Sequence, residues 1–189
     1  MSGIAILAWG SLLWDEAPDF DRWRERWCFD GPVLKLEFSR VSKSRLGALT
    51  LVVDPNHGAP NTVAWCLSRR QVAAEAIADL QRREGTNPRN IGVVSPAKPE
   101  MRARDLGTAQ SVRSWAELNA LDVVLWTDLP SNFQGKTNQA FSVPTAIAYL
   151  ETLNPAARAK AVEYFRNTPE FIQTPLRTAL KRNPLYGCS

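Results

Sequence analysis

Short apolar runs typical of β-strands fill the first two thirds of this chain, whereas helical patterns dominate its last third. The strand-like runs lie at residues 4–9, 33–41, 48–53, 62–67, 91–94 and 122–127. Helical patterns lie at residues 19–27, 69–83, 111–121 and through most of 144–181. Because strands and helices do not alternate regularly, a doubly wound parallel sheet is not expected. The order predicts an α+β fold, with helices on the outside of a mixed sheet or small β-barrel.

Turn-forming and polar residues mark the connections between these elements. Residues 54–61 read Asp-Pro-Asn-His-Gly-Ala-Pro-Asn, which predicts an antiparallel hairpin joining 48–53 to 62–67. The polar segment 131–142 predicts a loop that is either functional or a simple surface irregularity. A chain of 189 residues suits a single domain, with a mainly helical part from about residue 144.

The charge balance limits the classes of partner. Lys and Arg number 23 against 19 Asp and Glu, a net charge of +4, and the basic residues are dispersed. This excess slightly favours anionic small molecules as ligands. The chain lacks the basic stripe that is expected of a nucleic-acid-binding protein. No apolar run is long enough to cross a bilayer, and the N-terminus lacks the basic start of a signal peptide. We expect a cytoplasmic protein with neither nucleic acid nor membrane as partner, and the sequence leaves the oligomeric state open.

The scarcity of histidine and cysteine restricts the chemistry. The three cysteines, Cys28, Cys66 and Cys188, are widely spaced, so a disulfide framework is not expected. His57 is the only histidine, and it lies among turn formers where we expect an exposed hairpin tip. A zinc site or a Ser-His-Asp triad would have to use this residue. If the protein is an enzyme, its proton-transfer group is therefore predicted to be a carboxylate, without metal or cofactor.

The first candidate site is the segment Trp9-Gly10-Ser11-Leu12, which follows the first apolar run directly. Glycine lets the backbone turn sharply, through angles available mainly to glycine, and the N–H groups that follow can converge on one point. Such a nest binds a carboxylate or phosphate without any charged side chain. The same residues are also compatible with an ordinary turn.

The second candidate is Glu84, at the end of the helical segment 69–83 and just before Gly85, which should stop the helix. Glu84 lies four residues beyond Leu80 and so on the side of the apolar face. A carboxylate near the C-terminal end of a helix opposes the helix dipole, which tends to raise its pKa toward the range of a general base. Alternatively, Glu84 is a surface carboxylate that pairs with a basic residue: Arg82, Arg83 or Arg45.

The third candidate is the strand Lys-Leu-Glu-Phe-Ser-Arg at residues 35–40, together with the turn that follows it. This strand can present Ser39 or Arg40 to an anionic ligand, and the turn can present Arg45. The alternative is that these polar residues form the solvent face of the strand.

In this order, the features resemble the γ-glutamylcyclotransferase superfamily, including its ChaC-like and AIG2-like branches. The resemblance covers about residues 4–94 and rests on four motifs: aromatic-Gly-Ser-Leu, Lys-Leu-acidic-Phe-Ser, the strand Val63-Ala64-Trp65-Cys66-Leu67, and a helix ending in Glu-Gly. Gly10-Ser11-Leu12 with Trp14 is most similar to the ChaC-like branch. Residues 35–39 and Glu84-Gly85-Thr86 are more similar to the γ-glutamylcyclotransferase branch.

The resemblance implies a small mixed β-barrel with flanking helices and an enzyme that cyclises a γ-glutamyl group. The products would be 5-oxoproline and an amine released from a small γ-glutamyl amide or dipeptide. Glu84 would be the acid–base residue, and Gly10-Ser11-Leu12 would hold the α-amino-acid end of the substrate. Trp9, Ser39 and Arg45 complete the predicted substrate-binding set.

Two positions depart from the family pattern. Trp9 stands where the family usually has tyrosine, and Ile91 stands where a tyrosine is common seven residues after the glutamate. Both changes predict a less polar pocket and leave the substrate open. The alternative to an enzyme is a non-catalytic protein of the same fold that binds a ligand or a partner protein.

Overall fold

The structure is a computed structural model, and it describes residues 3–99 and 101–186. The chain divides into two compact units. The first unit combines Met1–Leu34 with Thr62–Leu129, and the second combines Lys35–Asn61 with Pro130–Ser189. The single-domain interpretation of the sequence stays a prediction.

Strands and helices both contribute substantially to the described residues. The strands, in chain order, are β1 (Ile4–Ala8), β2 (Val33–Val41), β3 (Leu49–Val53), β4 (Ala59–Thr62), β5 (Ala64–Leu67), β6 (Ile91–Val94), β7 (Met101–Arg102) and β8 (Val123–Thr127). The α-helices are α1 (Pro18–Asp21), α2 (Ala73–Glu84), α3 (Leu106–Leu118), α4 (Phe133–Thr137), α5 (Val143–Thr152), α6 (Pro155–Asn167) and α7 (Pro175–Leu180). The predicted α+β class is therefore confirmed.

The first unit contains a five-stranded mixed sheet with the strand order β5-β1-β8-β6-β7. β1 lies inside this sheet, antiparallel to β5 and parallel to β8. All five residues of β1 are buried, which explains why its sequence is a continuous apolar run. α2 packs its apolar side on a core that β1, β6 and β8 share. The end of β1 and the end of α2 thus belong to one packed unit.

The second unit contains a three-stranded sheet and the helices α4 to α7. Phe38 of β2 is fully buried, and its ring stacks on that of Phe165 in α6 at 4.1 Å between centroids. Pro155 occupies the first turn of α6, where proline is favoured because that N–H has no helical partner. The predicted loop 131–142 contains the short helix α4.

The predicted hairpin between residues 48–53 and 62–67 is wrong. β3 and β4 do not pair with each other, because both flank β2 in a sheet of order β3-β2-β4. The predicted strand 62–67 is interrupted at Val63, and the strands on either side of that residue belong to different sheets. Pro60 lies in β4 and has no N–H to donate, which suits a strand at the edge of a sheet.

The predicted helix 19–27 is shorter than its sequence pattern indicates, because α1 ends at Asp21. Arg24 and Cys28 instead form isolated antiparallel bridges with Ser68 and Trp65. These bridges cover part of the outer edge of the sheet at β5. An uncovered edge would present unpaired backbone groups.

Two negative findings apply to residues 3–99 and 101–186. No pairing of the described strands closes either sheet into a barrel, so the barrel detail of the prediction is not confirmed. No helix in this part of the chain combines the length and the apolar composition needed to cross a membrane.

Candidate functional site

The Gly-Ser-Leu segment leaves β1 in a tight turn. Ser11–Leu13 forms a short 3-10 helix, in which Leu13 N–H donates to the Gly10 carbonyl at 2.9 Å. Asp15 N–H donates to the Ser11 carbonyl at 2.8 Å. The N–H groups of Ser11 and Leu12 open this turn, where no acceptor is available within the helix itself. The segment therefore has the sharp turn and the leading amides on which the predicted nest depends.

The backbone angles of Gly10 correct one premise of that prediction. Gly10 has φ −121° and ψ −145°, and a negative φ of this size is open to residues with side chains. The premise that Gly10 adopts an angle available mainly to glycine is therefore wrong. A functional contribution from Gly10 has to come from the lack of a side chain beside the amides of Ser11 and Leu12.

Glu84 is the last residue of α2, as the sequence predicted. Gly85 follows with φ +56° and ψ 37°, the left-handed conformation that glycine adopts readily. Gly85 N–H donates to Arg82 O and Thr86 N–H donates to Gln81 O, both at 3.2 Å. These two bonds form a Schellman motif, which ends the helix sharply. The side chain of Glu84 is 17% exposed, so its carboxylate is largely withdrawn from solvent while some access is retained.

Arg83 connects the end of α2 to the Gly-Ser-Leu segment. Its Nη2 donates to the carbonyl oxygens of Ser11 at 3.2 Å and Asp15 at 3.0 Å. Its Nη1 lies 3.7 Å from Oε1 of Glu84. One guanidinium thus contacts both the turn and the candidate acid–base residue. The pairing of Arg83 with Glu84 is one of the alternatives that the sequence left open, whereas the contact of Arg83 with the turn was not predicted.

A shared apolar core fixes the turn and the helix together. Leu12 is buried and belongs to the same cluster as Leu80 of α2. Ile91, the first residue of β6, is fully buried in the same core. Because Ile91 is a core residue, its replacement of a tyrosine says little about the polarity of a ligand pocket. Trp9 is also buried, with 5% of its surface exposed.

Ser39 and Arg45, the other two predicted substrate contacts, belong to the second unit. Ser39 is fully buried, and its hydroxyl has no hydrogen-bond partner among the described residues. It is therefore not part of a solvent face. The guanidinium of Arg45 lies 5.0 Å from the centre of the Tyr164 ring and 4.0 Å from the Glu163 carboxylate. Both contacts hold Arg45 in place, and neither identifies a ligand.

A polar network beside Glu84 was not predicted from the sequence. The Asn90 side chain donates to the Thr86 hydroxyl at 2.8 Å and accepts from Nη2 of Arg104. Buried Asp128 accepts from Arg104 N–H at 2.7 Å. The network anchors the turn after Glu84 to β8 and to the segment before α3. Thr86 and Asn90 are only four residues apart, but Arg104 and Asp128 are distant from them in sequence, and no local pattern links the four.

The remaining reactive side chains have structural surroundings. His57 is 42% exposed, and its Nδ1 lies 3.2 Å from both carboxylate oxygens of Asp54. Cys28 is exposed and Cys66 is buried, and both are free thiols, while Cys188 lies outside the described residues. Burial raises the pKa of the Cys66 thiol, so it stays protonated. Within residues 3–99 and 101–186, no cluster of three His, Cys, Asp or Glu side chains could hold a metal ion.

The candidate site therefore consists of the 3-10 turn, Arg83 and Glu84 in the first unit. The structure brings these residues together in one packed unit, and Ser39 and Arg45 stay predictions from the sequence. Comparisons with models of protein families, with curated proteins and with solved structures gave no match for this chain.

Proposed function

We propose that this chain is a cytoplasmic enzyme of the γ-glutamylcyclotransferase-like class and that it has the small mixed β-barrel of that family. It converts the γ-glutamyl group of a small amide or dipeptide to 5-oxoproline and releases an amine. Glu84 is the acid–base residue, and the turn at Gly10-Ser11-Leu12 binds the α-amino-acid end of the substrate. The motif resemblance suggests this reaction, and the geometry of the first unit supports it.

The observation that carries the proposal is the contact of Arg83 with both parts of the site. Its bonds to the Ser11 and Asp15 carbonyls hold the turn against the end of α2. Its proximity to Glu84 keeps the candidate base within the same small region. A general base has to lie within hydrogen-bond reach of the proton that it removes. A substrate held by the turn would meet this requirement if its ammonium group faces Glu84.

The reaction needs little beyond geometry and one proton carrier. Glu84 removes a proton from the α-ammonium group, and the free amine attacks the γ-carbonyl carbon of the same molecule. A C–N bond forms as the ring closes, and the original amide C–N bond breaks. Glu84 then returns the proton to the leaving amine. The ring nitrogen loses its second proton, so that 5-oxoproline has a neutral amide N–H and the released amine ends as an ammonium ion. Because both reacting groups belong to one substrate, holding it in the ring-closing conformation supplies a large share of the rate.

The substrate's carboxylate is assigned to the leading amides of the turn. Backbone N–H groups at the start of a helical turn suit an anion. Buried Trp9 offers an aromatic wall in place of a tyrosine hydroxyl, so we expect an apolar leaving group in preference to glutathione. That expectation now depends on Trp9 alone, because Ile91 lies in the core.

The test is to incubate the purified protein with a panel of γ-glutamyl amides and dipeptides and to assay 5-oxoproline by mass spectrometry. The matched controls are the corresponding α-linked glutamyl peptides, which cannot cyclise through the same geometry. We expect product from γ-linked compounds only. A folded protein that releases no 5-oxoproline from any of them would instead favour the non-catalytic, ligand-binding alternative.

A further inference from the structure

A cleft lies on the first unit, between α1 and α2. It has a volume of about 320 Å³, in the range of small-molecule sites. On the α1 side its lining is mainly apolar, from Ala17, Pro18 and Phe20. Arg82 and Arg83 line the α2 side. Neither Glu84 nor the Gly-Ser-Leu segment lines this cleft, and Arg83 is the residue that it shares with the candidate catalytic site.

The acidic residues that line the cleft, Asp79 and Asp19, each have an arginine partner that does not line it. Buried Asp79 accepts from Nε of Arg70 at 2.7 Å and from Nη2 at 3.2 Å, a bidentate pair. Asp19 pairs with Arg22 at 3.0 Å. Arg83 lies 3.7 Å from Glu84. Arg82, whose contact with Asp79 duplicates the pair with Arg70, is therefore the lining arginine whose charge can attract an anion.

The two arginines that line the cleft differ in how far they are exposed to solvent. Arg82 is 70% exposed and contacts Asp79, so it can reorient toward a ligand. Arg83 is 13% exposed, and its Nε is buried without a hydrogen-bond partner among the described residues. A buried donor of this kind is normally satisfied by a ligand or an ordered water. Arg82 is therefore the donor that a ligand in the cleft can reach, beside an apolar surface.

We propose that the α1–α2 cleft binds a small monocarboxylate with an apolar body. The carboxylate pairs with the guanidinium of Arg82, and the apolar part contacts Pro18 and Phe20. Arginine pairs well with carboxylates in bidentate geometry. A dianion is disfavoured, because Asp79 and the nearby Glu84 would repel the second charge. The proposal is independent of the reaction proposed for Glu84.

The test measures binding and does not require catalysis. Benzoate is titrated into the whole protein by isothermal calorimetry, alongside its neutral isostere benzamide and the dianion phenyl phosphate. We expect benzoate to bind with a Kd of about 1 mM or tighter, as fragment-sized ligands do. Benzamide should bind at least about tenfold more weakly, because it lacks the charge. Absence of benzoate binding, or tighter binding of phenyl phosphate, would overturn the proposal.

A matched pair of variants locates the site. Arg82→Gln removes the exposed cleft arginine, and Arg69→Gln removes an arginine of comparable exposure, 51%, whose partner Glu25 does not line the cleft. Arg82→Gln should weaken benzoate binding at least about tenfold, whereas Arg69→Gln should leave it within about twofold. Equal effects of the two substitutions would show general electrostatic attraction in place of a built site and would also overturn the proposal.

Discussion

Each unit has a glutamate whose carboxylate lies at one end of a helix, and the surroundings of the two carboxylates differ. Glu84 ends α2 in the first unit, with its side chain 17% exposed. Glu37 lies in β2 and is fully buried at the start of α7 in the second unit. Both carboxylates are withdrawn from solvent. Glu37 is placed where its hydrogen-bonding capacity is consumed by the fold.

Glu37 is held by donors on both of its oxygens. Oε1 accepts from the N–H of Phe38 at 2.7 Å, and Oε2 accepts from that of Leu176 at 3.1 Å. The side chain of Thr174 is a further partner. Burial nevertheless dominates and raises the pKa of Glu37 above its ordinary value, and the charge of Asp54 adds a smaller effect in the same direction. The sequence motif that contains Glu37 therefore carries a structural residue.

The difference follows from the polarity of helices. The first N–H groups of a helix lack internal partners and attract a carboxylate. The last carbonyl groups repel one, and the Schellman motif at Gly85 already satisfies two of the carbonyls of α2. A carboxylate at a helix start is thus suited to holding structure. A carboxylate at a helix end, beside an ordered turn, is better suited to exchanging protons with a ligand.

The largest effect is expected from Glu84→Gln. The substitution keeps the shape of the side chain and removes its titrating group, so the rate of 5-oxoproline formation should fall by about 10²–10⁴. Glu75→Gln, at an exposed position in the first turn of the same helix, is the matched control and should retain the wild-type rate. Circular dichroism and thermal unfolding establish that both variants fold. A folded Glu84→Gln protein with the parent's activity would remove Glu84 from the mechanism.

The next largest effect is an expected loss of stability in the variant Glu37→Gln. An amide has only one acceptor oxygen, so one of the N–H groups of Phe38 and Leu176 loses its partner in a buried place. We expect a loss of about 1–3 kcal/mol in the free energy of unfolding, measured by urea denaturation. A difference below about 0.5 kcal/mol would show that the bonds of Glu37 do not hold α7.

The same pair of proteins gives a pH test with a definite sign. Because the pKa of Glu37 is raised in the folded state, the native protein keeps this proton when the unfolded chain has lost it. The contribution of Glu37 to stability is complete below its ordinary pKa of 4.5 and is lost as the pH rises through the folded value. The stability advantage of the parent over Glu37→Gln should therefore shrink with rising pH in that interval. An advantage that grows with pH would contradict the raised pKa.

A smaller and more specific effect is expected at Gly10. Since φ is negative there, Gly10→Ala should not strain the backbone, and its unfolding free energy should change by less than about 1 kcal/mol. Gly10→Val places a branched side chain beside the amides of Ser11 and Leu12 and should lower activity more than Gly10→Ala does. Activity and unfolding of the two variants are measured together. Equal activity in both would show that the amides of this turn do not face the substrate.

Local patterns predicted the helices and strands better than they predicted the pairing of strands. Gly85 marked the end of α2, and the apolar run at residues 4–9 indicated the buried strand β1. The pairing partners of β3 and β4 did not follow, because the central position of β2 is a non-local property. Sequence proximity across a turn favours a hairpin, and here the chain instead places β2 between the two strands.

The candidate site could be predicted only in part for the same reason. The turn and Glu84 are each visible in short motifs. The bonds from Arg83 to the Ser11 and Asp15 carbonyls join residues about seventy positions apart. From the sequence alone, an arginine next to a glutamate is interpreted as its ion-pair partner before any distant contact is considered. Glu37 was also missed, because its N–H donor at Leu176 lies 139 residues away.

The smallest effect is expected at His57, the only histidine and therefore the residue on which any imidazole chemistry depends. Asp54 accepts from the backbone N–H groups of Asn56 at 3.1 Å and His57 at 3.0 Å, so the turn does not need the imidazole ring. His57→Ala should change the unfolding free energy by less than about 0.5 kcal/mol and leave the rate of 5-oxoproline formation unaltered. Asp54→Ala, which removes the acceptor for both amides, should cost about 1–2 kcal/mol. Urea denaturation and the product assay on both variants check this order. A catalytic loss in a stable His57→Ala protein would mean that the Asp54–His57 pair transfers the proton, and Glu84 would then lose the role proposed for it.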